Sequence, residues 1–224
     1  MKVSEYIDFL ITGDCSKLPI SNVGDMALNP ATAPSAVQLV NQNKFINYIN
    51  LANLALHKRY HLLKKEIELD NPTNGEEFTL PLDFLVPIHA YYAVDFEPVT
   101  IKDDSVRLVD SVDTRVSILM PEPFKIKIKG VDDKARTPII LKYAAAPKKA
   151  ANASVDLKIS EAYTDPLLNY ASYKAYSTLS GDIKDENNTY FLRYEAACRQ
   201  LVNSGMGGNN EIDVNTKLSD NGFV

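Results

Sequence analysis

The chain has 224 residues, 45% of them hydrophobic and 24% charged, with a formal net charge of −5. That length suffices for one or two ordinary cores, and the composition is that of a folded globular protein rather than a disordered or fibrous one. The acidic balance argues against a general nucleic-acid binder, and no run approaches the roughly 18 apolar residues that a membrane span needs.

The charge is unevenly spread, because residues 125–149 hold eight Lys and Arg against Asp132 and Asp133. Cys15 and Cys198 stand outside any C-x-x-C pair and read as buried thiols in a reducing compartment. The N-terminal MKVSEYIDFLITGDC has the outline of a lipoprotein leader. Glu5 and Asp8 break its apolar stretch, however, and Asp14 replaces the small residue required there, so the chain reads as soluble and unexported.

In chain order, Val3, Ile7, Leu10 and Ile11 predict a short amphipathic helix ending near Gly13. Residues 14–36, with Pro19, Pro30 and Pro34, read as a long loop, of the kind that is functional or held down by a partner. A strong helix follows at about 36–64, where Phe45, Ile49, Ala52, Leu56, Tyr60 and Leu63 form one stripe. Its other side carries Asn47, Asn50, Asn53, His57 and His61. Asn is a poor helix former, so this side reads either as a surface that meets another chain or as plain exposure.

From 65 the pattern changes. DNPTNGEE, between EIEL and FTLPL, predicts a hairpin, since Asn74-Gly75 supplies the positive φ angles of a tight turn. VDTRVSILM and FKIKIKG alternate apolar and polar residues, and PIILKYAA completes a set of five or six short antiparallel strands. After APKKAANAS the chain is helical again, with Asp165 and Pro166 opening a helix to Gly181 and Asp185 opening the last one. In that last helix Phe191, Tyr194, Cys198 and Leu201 form the apolar stripe. The final stretch, rich in Gly and Asn, cannot build a core. The predicted fold class is α+β: an antiparallel helical bundle (1–64 and 160–203), an inserted antiparallel β-sheet or sandwich lobe (65–150) and a flexible C-terminal tail (204–224).

Catalytic signatures are absent from the sequence. In HKRYH, Lys58 stands where a zinc protease carries its Glu, and no third ligand accompanies His57 and His61. His89 reads as a packed strand residue, and the acid pairs 76–77, 103–104 and 132–133 sit beside turns rather than opposing one another across a substrate. The expectation is a non-enzyme with no metal and no cofactor. Lys125, Lys127 and Lys129 allow two readings, a solvated face of an edge strand or a surface turned toward phosphate.

Tyr170, Tyr173 and Tyr176 recur every three residues, beside a side of Ala171, Ser172 and Ala175. SEAYTDPLLNYASYKAYSTLSGD followed by NTYFLRYEAACRQL resembles the C-terminal half of head-to-tail adaptor (connector) proteins of tailed bacteriophages, through Tyr163, Leu167, Leu168, Tyr170, Tyr173, Ala175, Tyr176, Tyr194 and Leu201. FTLPLDFL (Leu80, Pro81, Asp83) and IILKYAAAP (Tyr143, Pro147) resemble the strands that enter and leave that family's β insert. The resemblance spans roughly 36–203, and it departs from the family at Pro166, which interrupts a continuous helix.

The resemblance implies a virion protein of the neck, made in the host bacterial cytoplasm. It implies a homo-oligomeric ring, commonly a dodecamer, that joins the portal protein to tail or other neck proteins and lets DNA pass without sequence specificity. On that reading Tyr170, Tyr173 and Tyr176 are shared with a neighbouring subunit or the portal, as are Asn47, Asn50 and Asn53; a tyrosine-rich intramolecular core is the alternative. Lys125, Lys127 and Lys129 would line the channel. The tail would order on assembly, with Ile212 and Val214 adding as a strand to an exposed edge. Two further readings are another neck component, such as a stopper or tail-completion ring, and a glycan-binding β-sandwich using Tyr91 and Tyr92.

Overall fold

A computed structural model describes residues 1–18, 35–103, 116–130, 137–179 and 184–206. The chain has an α+β fold and divides into two compact units, Met1–Tyr60 with Lys148–Val224, and His61–Pro147. The helical part therefore ends four residues earlier than the periodicity implies, and it takes back the segment after Pro147.

In the helical unit, α1 (Val3–Thr12) buries Val3, Tyr6, Ile7 and Leu10. Tyr6 takes the place expected of Ile11, which is only half buried. Gly13 closes the helix. Its amide donates to the Phe9 carbonyl at 3.0 Å, and a Cβ there would lie 2.8 Å from the same oxygen.

The next helix, α2 (Ala36–Tyr60), buries Phe45, Ile49, Ala52, Leu56 and Tyr60 as the stripe predicts. It stops because His61 adopts φ 49, a left-handed conformation that terminates helices. Leu63, counted in the helical stripe, packs on the β core instead.

A short 3₁₀ turn (Glu161–Tyr163) leads into α3 (Thr164–Leu179), which places Pro166 in the first helical turn, where its missing N–H leaves no bond unmade. The last helix, α4 (Lys184–Asn203), buries Tyr194, Cys198 and Leu201, while Phe191 stays partly exposed. The segment read as a linker is a strap. Val155 and Ala153 accept the otherwise orphaned amides of Val3 and Ser4 at 3.0 and 2.8 Å, and the Leu157 amide donates to the Met1 carbonyl at 3.1 Å.

The second unit is a sandwich of two sheets around one core. One sheet has the order β1-β7-β3, formed by β1 (Lys64–Leu69), β7 (Ile139–Ala145) and β3 (Phe84–Tyr92). The other has the order β2-β6-β5-β4, formed by β2 (Glu77–Thr79), β6 (Lys125–Lys129), β5 (Ser117–Glu122) and β4 (Thr100–Asp103). Leu69, Ala90, Ile139 and Leu141 from the first sheet share the core with Ile118, Ile126 and Ile128 from the second.

Three features differ from the sequence reading. DNPTNGEE turns as expected, with Gly75 at φ 85, but it joins strands of different sheets and makes no hairpin. The Gly75 amide donates to Ile128 and Asn74 Oδ1 accepts the Gly130 amide at 3.0 Å, so the turn is held by β6 and its end. The set is also not wholly antiparallel, since β4 pairs parallel with β5. Parallel neighbours need a crossover of about a dozen residues, which the chain between Asp103 and Ser117 has room for. Finally, β6 is an interior strand rather than an edge.

His57 is buried in the helical unit, its Nδ1–H donating to the Asn53 carbonyl at 2.9 Å. Burial holds its pKa below the ordinary 6.5. The unfolded chain then binds the proton more readily, so the native state loses stability as pH falls below about 6.5. We expect urea unfolding between pH 7 and pH 5 to show a slope contribution of at most about 1.4 kcal/mol per pH unit from this group. His57→Gln should flatten that slope, whatever its effect on absolute stability, and an unchanged slope would place the acid sensitivity elsewhere.

Candidate assembly surfaces

The tyrosines of α3 meet a partner within their own chain. The Tyr170 ring lies 4.9 Å from Tyr194 and 5.6 Å from Tyr173, and Tyr173 lies 5.3 Å from Phe191. Tyr176 stacks on Tyr190 at 5.0 Å. Both hydroxyls of that last pair donate to the Asp14 carbonyl, at 2.8 and 3.1 Å, tying the end of α1 to α3 and α4. Lys174 Nζ sits over Tyr173 and Tyr170 at 4.8 and 5.4 Å. Tyr176 is buried, while Tyr170 and Tyr173 keep part of their surface open.

The opposite side of α3 carries the small residues Ala171 and Ala175 for a packing reason. Leu167, Ala171 and Ala175 are fully buried on the side where α2 approaches and where Tyr48 and Thr178 share a 2.7 Å hydrogen bond. Ser172 faces Cys15, whose thiol burial pushes up to a pKa of about 11. A thiol so protonated is a poor nucleophile.

The asparagine side of α2 is likewise used at home. Asn50 Nδ2 donates to the Ala150 carbonyl at 3.0 Å and its Oδ1 accepts the Ala150 amide at 2.8 Å, a two-bond hook on the strap. Asn53 is 3% exposed, and its Oδ1 has no hydrogen-bond partner among the described residues. Asn47 alone of the three is exposed. His57 and His61 do not share a helical face, because the helix ends between them.

Lys125, Lys127 and Lys129 do share the outer face of β6, opposite Ile126 and Ile128. Lys125 pairs with Glu122 at 3.0 Å and Lys127 with Glu77 at 3.6 Å, which offsets two of the three charges. Both pairs are solvent-exposed and contribute little to stability. Among the described residues Lys129 has no acidic partner. Ile212 and Val214 lie outside the described residues, as do 19–34, 104–115 and 131–136.

Two exposed apolar surfaces escaped the sequence reading. On α2, Val37 (68% exposed), Val40 (54%) and Leu51 (47%) line up with Lys44, Asn47 and Lys58 at helical spacing, away from the buried stripe. The three-four spacing was present in the sequence, masked by the stronger Phe45–Tyr60 stripe. On the sandwich, Val94 (69%) and Phe96 (70%) stand at the tip of the β3–β4 loop. Phe96 has φ 60, and Phe124, after Pro123 in the β5–β6 turn, has φ 64. Gly or Asn is preferred at such positions, so two exposed rings are held in a backbone conformation that costs on the order of 1–3 kcal/mol each.

Tyr91 and Tyr92 are no joint platform: as neighbours in β3 they point to opposite faces. Tyr92 packs against the core, and Tyr91 lies between His89 and Phe96 at 5.7 Å from each. His89, expected to be packed, is exposed. Among the described residues no three His, Cys, Asp or Glu side chains gather as a metal site, and no helix is long and apolar enough to cross a membrane. The chain matches no family model and none of the curated proteins.

The asparagine placements give a contrast. Asn50→Ala should lower unfolding free energy by about 1–3 kcal/mol, because both backbone groups of Ala150 lose their partner, whereas Asn47→Ala should stay within about 0.5 kcal/mol of the parent. Urea titration of the two variants decides it, and equal losses would mean that the hook does not hold the strap.

Proposed function

We propose that this chain is a structural protein of a tailed-phage neck, an adaptor whose copies close into a ring between the portal and the tail. The observation that carries the reading is the exposed apolar stripe of α2. It runs along a helix whose opposite side is already committed to the core, and exposed apolar side chains set along one such line offer a surface for another protein. The rings at the loop tips point the same way, since strain spent on exposing an aromatic side chain is explained by a partner for it.

The residues that carry the resemblance to adaptors support the reading from inside the fold. Tyr163, Leu167, Ala175, Tyr176, Tyr194, Leu201, Leu80 and Tyr143 are all buried. Asp83 accepts from Lys65 and from the Tyr143 hydroxyl, fixing the strand that enters the sandwich. Those buried residues lie in the cores of the helical unit and of the sandwich, so the pattern that supports the reading falls on residues that hold the fold. Repetition around a ring lets weak individual contacts add up, which suits a surface of scattered apolar residues rather than one large patch.

Mass photometry of the chain alone and mixed with the portal of the same phage tests the reading. A ring-sized species, or a portal gaining many copies of a 24.9 kDa chain, is the expected result. A monomer that ignores the portal would remove the adaptor assignment. For the channel, reversing Lys125, Lys127 and Lys129 to Glu should leave ring assembly intact and lower DNA retention or delivery. Normal infectivity of phage carrying that triple variant would take these lysines off the channel wall.

A further inference from the structure

The two exposed apolar surfaces differ in charge. The β3–β4 tip reads Val94-Asp95-Phe96-Glu97, with two apolar and two acidic side chains, all exposed. The α2 stripe sets Val37, Val40 and Leu51 among Lys44 and Lys58. Among the described residues none of these four charged side chains has an ion-pair partner. We propose that the tip of one copy docks on the α2 stripe of a second copy, Phe96 and Val94 packing beside Val40 and Leu51 while Asp95 and Glu97 face Lys44, with Lys58 further along the same stripe adding to its positive field.

The tip is built to keep its shape. The Tyr92 amide donates to the Glu97 carbonyl and the Phe96 amide to the Tyr92 carbonyl, both at 3.0 Å, and Asp95 Oδ1 accepts the Glu97 amide at 3.1 Å. The Tyr91 ring supports Phe96 from the sheet face. A protruding ring fixed in advance loses little conformational freedom on docking, which favours affinity. The opposite charges favour this pairing over tip against tip or stripe against stripe, since each of those would bring like charges together.

Because the two surfaces are different, every copy offers one of each. The contact is heterologous and repeats from copy to copy until rotation closes it. Only the closure into a ring under a portal rests on the adaptor reading; the contact itself does not.

The test uses full-length chains carrying one added cysteine each, Phe96→Cys mixed with differently tagged Val40→Cys, under mild oxidation. Cys15 and Cys198 are buried and do not compete. The expected product is the mixed disulfide, in excess over a control pairing Phe96→Cys with Ser154→Cys, an exposed site on the strap. Adding Asp95→Lys and Glu97→Lys to one chain should lower the yield by about tenfold, and Lys44→Glu with Lys58→Glu on the other should restore it. Circular dichroism checks that each variant is folded. Yield no better than the control, or no rescue by the charge swap, overturns the contact. A parent chain that loads on the portal while the charge variants load equally well sinks this inference and leaves the adaptor reading; a charge-swappable cross-link in a chain that ignores the portal does the reverse.

Discussion

The helical unit depends on α3 being gripped from two sides at once. Ala171 and Ala175 let α2 come close, and the tyrosine side lies against α4. Large residues in place of the alanines would push α2 away, and small ones on the second side would take from Phe191, Tyr194 and Tyr190 the α3 rings they pack on. Edge-on and stacked ring pairs contribute roughly 0.5–1.5 kcal/mol each beyond their buried area, and here the seam is a cluster of Tyr170, Tyr173, Phe191 and Tyr194 and a Tyr176–Tyr190 stack. The seam is not sealed. Tyr170 and Tyr173 keep an open edge, which a tyrosine tolerates because its hydroxyl remains hydrated.

That grip requires a chain that leaves the helical unit after Tyr60 and comes back after Pro147. The return is fixed by polar contacts rather than by burial. Asn50 hooks Ala150, and α1 offers its first amides to Ala153 and Val155. Helix starts carry amides with no partner inside the helix, so the strap satisfies the helix and the helix places the strap. Arg59 adds a bidentate pair with Glu195 at 2.6 and 2.9 Å and lies over the Tyr194 ring. The pair is partly exposed and screened, so its fixed geometry at the α2–α4 contact matters more than its Coulomb energy.

Once these internal demands are met, the surplus stands out. A helix with one committed side still carries Val37, Val40 and Leu51 on another, and two turns hold phenylalanine where glycine would be easier. Neither feature helps the isolated chain. The assembly proposed above would give both a use, because burying the exposed apolar groups in a contact is favourable and can outweigh the backbone strain that remains.

The sequence by itself determined what depends on neighbours a few residues away. The stripes of α1, α2 and α4, the alternation in β6 and β7 and the turn at Gly75 follow from helical period, strand period and local φ preference, and so does the α+β class. What lies far along the chain was decided only by tertiary structure. A turn such as 70–77 has the same local chemistry whether its strands pair with each other or pass to different sheets, and the outcome rests on which apolar faces must meet across the core. Asn50 of α2 looks like part of an outer surface until Ala150 arrives to pair with it. The three tyrosines of α3 look unpartnered until α4 folds back on them. Local pattern records which groups need a partner, and only the closed chain supplies the partner's identity.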